Sequence, residues 1–307
     1  MKPILLALPL FAILAGCAAE ETATDALPAD VDAEALNRIP DDAPPVIVGE
    51  RGPYEVTIHE DADLPDFTIY EPEPMAGGVN EFAVIAWGNG GCANNNASSR
   101  AFLETVASHG FLVVAPGPLD APEDNGWTIH LVQQQAMDWA EEENARSDGA
   151  LSGRIDTENM ALAGWSCGGL QSLSNLRDPR VKSIALFNSG LFDDELTFME
   201  ERAPAKKADL QDLHSPIAYF SGGPVDPAHA NAADDYPRIT HVPVFFGAVQ
   251  TGHQGTFAHP GGGRVATAAA QWFAYTLYGD EAAGEWFVGE DCGLCTDEYW
   301  TVQRRNI

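Results

Sequence analysis

Positive charge is what this chain has least of: 16 Lys and Arg stand against 46 Asp and Glu in 307 residues, a formal net charge of −30. Binding to nucleic acid requires a Lys/Arg footprint that neutralises phosphates, so nucleic acid is excluded as a partner. The same acidic surface stays solvated and repels anionic substrates, which favours neutral ones. Cysteine is scarce, with five in all. The single C-x-x-C, Cys292 and Cys295, has no second ligand pair, so neither a metal site nor an organic cofactor is expected. Long hydrophobic runs are missing beyond the N-terminus, and the one there, about a dozen residues, is too short to span a bilayer. At 45% hydrophobic and 20% charged residues the chain can still bury a sizeable core, which rules out disorder as its main state.

The opening "MKPILLALPLFAILAGC" has one lysine, an apolar run and small residues before a cysteine, the layout of an export signal over 1–16. Leu14-Ala15-Gly16-Cys17 resembles a bacterial lipobox, which implies lipidation of Cys17. The expected location is then the bacterial envelope, on the periplasmic side or the cell surface, with a membrane reached through the lipid anchor. Cleavage at nearby small residues, giving a secreted protein, is the alternative. Residues 17–45, rich in Ala, Asp, Glu and Pro, read as an acidic disordered tether. An exported compartment permits disulfides. With Cys17 set aside, Cys92, Cys167, Cys292 and Cys295 allow three connectivities.

From residue 46 onward short β-branched or aromatic runs alternate with helical patterns, without repeats or a second boundary, and predict one α/β domain over 46–307. The runs are "YEVTIHE", "FTIYEP", "FAVIAW", "FLVVAP", "MALAGWS", "VKSIALFNS", "PIAYFS" and "VPVFFGA". The middle ones are continuously apolar, as parallel strands covered on both faces must be. Helices are expected over 97–108, 128–145, 168–177 and 263–278. In the last, Val265, Ala269, Trp272, Phe273 and Leu277 share one stripe.

Gly164-Trp165-Ser166-Cys167-Gly168 fits G-x-S-x-G, ends a strand run and opens a helical pattern, the setting of a nucleophile elbow. The glycines suit a turn too tight for side chains, and the helix start supplies oriented N–H groups. A serine needs a base, and His253 lies in a Gly-rich loop after the last strand run, where the order Ser, Asp, His requires it. His241 and His259 are its rivals. Asp226, five residues past "PIAYFS", is the expected acid, ahead of Asp193, Asp194, Asp234 and Asp235. The oxyanion donors are expected to be the N–H groups of Cys167 and of Asn89, with Gly90 second to Asn89.

The segments "WGNGG", "GWSCGG", "GGPVD" and "TGHQG" agree in order and type with the α/β-hydrolase superfamily across about residues 46–280. The chain is most similar to compact cap-less esterases: dienelactone-hydrolase-like, chlorophyllase-like, and polyester-hydrolase or cutinase-like. The resemblance implies an α/β-hydrolase fold, with a mostly parallel central sheet flanked by helices and no large lid domain. It also implies hydrolysis of carboxylic esters by Ser166, His253 and Asp226 through an acyl-enzyme, on a small or polymeric neutral ester. In that fold the loops of Cys92 and Cys167 border one site, so the pairs Cys92–Cys167 and Cys292–Cys295 are expected, the second in a surface clasp at about 286–307. The 27 or so residues between Asn188 and Pro216 allow only a short helical flap. The open site that follows would have aromatic walls drawn from Trp87, Trp127, Trp165, Phe192 and Phe257. A monomer is expected. Lactonase, polyester-hydrolase and peptidase activities use the same groups, and a catalytically silent envelope binding protein is the alternative from another class.

Overall fold

The computed structural model describes residues 33–78, 80–122, 124–193 and 197–307. The expected export signal, Cys17 and the first part of the tether lie outside the described residues. Glu34–Ile307 forms one compact unit, so the segment 34–45, expected to be tether, belongs to the folded domain. Pro40 and Pro44 are buried in it.

Nine strands form one sheet: β1 (Val56–Asp61), β2 (Leu64–Pro72), β3 (Phe82–Gly88), β4 (Phe111–Pro116), β5 (Ile155–Trp165), β6 (Val181–Phe187), β7 (Ile217–Ser221), β8 (Val244–Val249) and β9 (Trp300–Arg305). Their order is β1-β2-β4-β3-β5-β6-β7-β8-β9. The six strands from β4 to β8 run parallel, and the antiparallel ones lie at the two edges. This is the α/β-hydrolase architecture, and it follows from two-sided burial. Every residue of β3 is buried, with Val84 and Ala86 entering one core and Ala83, Ile85 and Trp87 the other. Helices Leu131–Ala145 and Cys167–Ser174 cover the first face, and Arg100–Ala107 and Gly263–Tyr278 cover the second. Each large side chain so enclosed stabilises the fold by about 1.5–3 kcal/mol.

The structure differs from the sequence-based expectation in three places. The expected helix over 97–108 begins as a 3-10 turn at Ala97–Ser99, and that expected over 128–145 begins only at Leu131. The C-terminal clasp carries its Cys292–Cys295 disulfide, yet it also holds β9, which pairs with β8 from Val249↔Trp300 to Val244↔Arg305. As an edge strand β9 buries only Trp300 and ends in Arg304 and Arg305, charges that discourage further strand pairing. The polar segment His229–Arg238 is a helix, packing Ala232 and Tyr236 onto the first core.

Between β6 and β7 the described residues hold only a short helix, Thr197–Arg202, and a 3-10 turn, Lys207–Asp212. Lys207 Nζ fastens that turn to the next helix, donating to Asp235 Oδ1 (2.8 Å) and to Asn231 O (3.0 Å) and pairing with Asp234 Oδ2 (2.9 Å). Asp235 is fully buried, and burial pushes its carboxyl up to about 6, against the pull of Lys207. Removing the cation leaves a buried carboxylate without its counter-charge. Lys207→Met should therefore cost about 3 kcal/mol at pH 8. A raised folded-state pKa favours the protonated form, so the loss should shrink toward pH 5, where Asp235 takes up a proton. Urea unfolding at the two pH values measures both effects.

Candidate active site

β5 ends at Trp165 and the helix Cys167–Ser174 starts one residue later, which leaves Ser166 alone to make the turn. It does so at φ 53° and ψ −118°, in the positive-φ region that costs a side-chain-bearing residue energy. The surrounding glycines make the turn possible. A Cβ on Gly164 would lie 2.2 Å from Gly168 C, and one on Gly168 would lie 2.0 Å from Gly88 O. β3 and β5 thus approach the helix start backbone to backbone. Ser189 Oγ–H donates to Ser166 O (2.7 Å) and braces the turn from β6.

His253 Nδ1 lies 2.7 Å from Asp226 Oδ1, and its Nε2 lies 2.9 Å from Ser166 Oγ. An ionised carboxylate only accepts, so Nδ1 carries the proton, and Nε2 is left free to accept from the serine. Asp226 has a fully buried side chain and accepts from Ala228 N (2.9 Å) and Gly222 N (3.3 Å). Behind it His229 Nδ1 is 2.7 Å from Ser221 Oγ, and burial holds its pKa below the usual histidine range. The rivals are engaged elsewhere: His241 with Leu213 O, Asp235 with Lys207, and Asp234 with Lys207 and Arg238. Asp193 lies 3.9 Å from Arg238. Asp194 lies outside the described residues.

Asn89 and the elbow touch, since a Cβ on Gly168 would be 2.7 Å from Asn89 N. The Asn89 side chain is committed to structure: it accepts from Trp87 Nε1 and donates to Ala93 O and Pro116 O. Its backbone N–H is what it can offer a substrate. Cys167 is the first helical residue, so its N–H has no intrahelical acceptor. The disulfide Cys92–Cys167 ties these two loops together at a Cα–Cα distance of 5.1 Å. Gly90, the second choice of donor, lies under the Trp165 ring.

The aromatic walls divide. Trp87, expected to line the pocket, is a core residue at 1% exposure, packed among Phe102, Phe187 and Phe257 because its position on β3 faces the second core. Phe257 is buried with it. Trp165 is also buried: its Nε1–H needs an acceptor and finds His253 O (3.0 Å), so it backs the histidine loop and does not line a pocket. Trp127 and Phe192 are exposed. Trp127 pairs with Ala93, next to the Cys92 loop, and lies under the Arg202 guanidinium of the flap, 4.3 Å from the ring centroid.

In the sequence Asn188 marks only the end of a strand run. Its Nδ2 donates to both Gly252 O (2.8 Å) and His253 O (2.6 Å), and it holds the histidine loop from inside. It sits at φ 48°, which Asn tolerates better than most residues. Asn188→Ala removes two buried hydrogen bonds, while Gly255 N still reaches Gly252 O and Trp165 Nε1 still reaches His253 O, and should cost about 2 kcal/mol of stability, read from urea midpoints.

A strand-turn-helix elbow with serine, histidine and buried aspartate in hydrogen-bonding series, on a mostly parallel sheet, defines an α/β-hydrolase. The chain belongs to the PETase, or PET hydrolase-like, family, whose match covers residues 30–206, more than half of its length. It is accordingly a hydrolase acting on esters. Ser166 lies within the matched stretch, whereas Asp226 and His253 lie beyond it. None of the curated proteins matches the chain.

Proposed function

We propose that this protein is a serine esterase that cleaves neutral carboxylic esters, polyesters among them, through an acyl-enzyme. The observation that carries this reading is the unbroken series Asp226 Oδ1, His253 Nδ1, His253 Nε2, Ser166 Oγ, at 2.7 and 2.9 Å. Ser166 Oγ attacks the ester carbonyl while His253 Nε2 takes its proton. The N–H groups of Cys167 and Asn89 receive the oxyanion. His253 returns the proton to the departing alcohol, then activates a water that releases the acid and restores Ser166–OH. Asp226 keeps the imidazole in the right tautomer and stabilises its cation. Family membership and the absence of a large lid among the described residues favour an extended or polymeric substrate. Net charge −30 favours an uncharged one. The reading extends to an exported protein held to the envelope by a lipid on Cys17, acting as a monomer.

The test is hydrolysis of p-nitrophenyl esters from acetate to decanoate, followed by release of soluble acids from an amorphous polyester film. Turnover of the esters with film release supports the reading. A folded protein that hydrolyses none of them contradicts it.

A further inference from the structure

The motif Thr251-Gly252-His253-Gln254-Gly255 has one residue accounted for, the histidine, while both of its neighbours touch the same distant segment. Gln254 Nε2 donates to Leu36 O (3.2 Å) and to Asn37 Oδ1 (3.4 Å). Gly252, at φ 72°, faces Arg38: a Cβ there would lie 2.2 Å from Arg38 O and 3.7 Å from Pro40 Cδ. Pro40 itself is buried. The same stretch is fastened again beyond the loop, where Arg264 Nη2 donates to Pro45 O (3.2 Å) and Gly49 N to Pro260 O (2.8 Å). On the inner side, Asn188 holds Gly252 O and His253 O. The histidine loop is therefore gripped between the Asn188 side chain, just past the end of β6, and residues 36–40.

We propose that Leu36–Pro40 is a positioning strap for His253, an inference that rests on the reading of Ser166, His253 and Asp226 as the reacting set. The strap bonds Gln254, whereas the imidazole nitrogens go to Asp226 and Ser166. It fixes the backbone on both sides of the imidazole, and His253 Nε2 must stay within hydrogen-bond reach of Ser166 Oγ for proton transfer. Displacing a catalytic group by about 1 Å can cost on the order of 100-fold in rate.

The test uses the full chain with a specific protease site inserted between Asp41 and Asp42, both exposed in a turn. The uncut enzyme should match the parent in ester hydrolysis, which separates this test from the proposed function: an inactive parent refutes that reading and leaves nothing to position. Cutting and removing residues 1–41 should lower kcat by about tenfold, with KM within about twofold. The near-ultraviolet circular dichroism spectrum should be retained. In uncut protein, Gln254→Ala should lower kcat by about threefold with KM unchanged, and Gln254→Asn should restore less than the parent rate. An unchanged kcat after the strap has left, or in Gln254→Ala if the cut strap stays bound, overturns the proposal. So does a loss in which the spectrum collapses and KM rises together, since that is a merely structural role.

Discussion

Ser166→Ala should lower kcat/KM for p-nitrophenyl butyrate by about 10⁴-fold or more, with no change in fold. The substitution keeps the Cβ at the elbow and removes only the oxygen 2.9 Å from His253 Nε2. The backbone strain at φ 53° is carried by both side chains alike, so the unfolding free energy should stay within about 1 kcal/mol of the parent. His253→Ala should fall to a similar floor, and the double variant should be no worse than either single one, because serine and histidine act as a unit. Asp226→Asn should lose somewhat less, as the imidazole keeps its place but not its tautomer. Additive losses across the set would show that these residues do not share one step.

The second large effect is expected on breaking Cys92–Cys167. The bond closes a loop with a sequence separation of 75 residues. By loop-closure entropy its removal should cost about 4 kcal/mol, a lowering of Tm by roughly 10 °C for a domain of this size. The catalytic consequence is separate from the stability. One partner follows the proposed nucleophile Ser166 and the other closes the Asn89 loop, so the bond sets the spacing between the two N–H groups proposed to receive the oxyanion. Cys92→Ser with Cys167→Ser should lower kcat by about 10²-fold at a temperature where the variant remains folded, with KM little changed. Opening Cys292–Cys295 alone should leave kcat untouched, since that bond lies in the tail beside β9. Full activity in the Cys92/Cys167 variant would remove the bond from the account of catalysis.

Much of this architecture is legible in the chain because two-sided burial writes continuous apolar runs, and β3, β4, β6, β7 and β8 all carry one. The elbow and the two loops after β7 and β8 are legible for a different reason: glycines gather where backbones must touch. Three things stay hidden. Strand β9 buries one residue in six, so its pattern is that of a tail. Trp87 looks like a pocket wall until the strand's parity is known, and parity sends it into the second core with Ala83 and Ile85. The strap acts mainly through the carbonyl oxygens of Leu36 and Arg38, with Asn37 Oδ1 added at 3.4 Å, and a carbonyl oxygen is common to every residue type. Asn188 falls between these cases, since its side chain does the work but only the folded sheet brings β6 to the histidine loop.

The most direct measurement of the central claim is reaction of the folded protein with a fluorophosphonate, followed by intact mass and peptide mapping. One adduct per chain is expected, on the peptide containing Ser166, at a rate that collapses in His253→Ala. A folded protein that takes no label, or takes it on another residue, would contradict the assignment of Ser166 as the nucleophile.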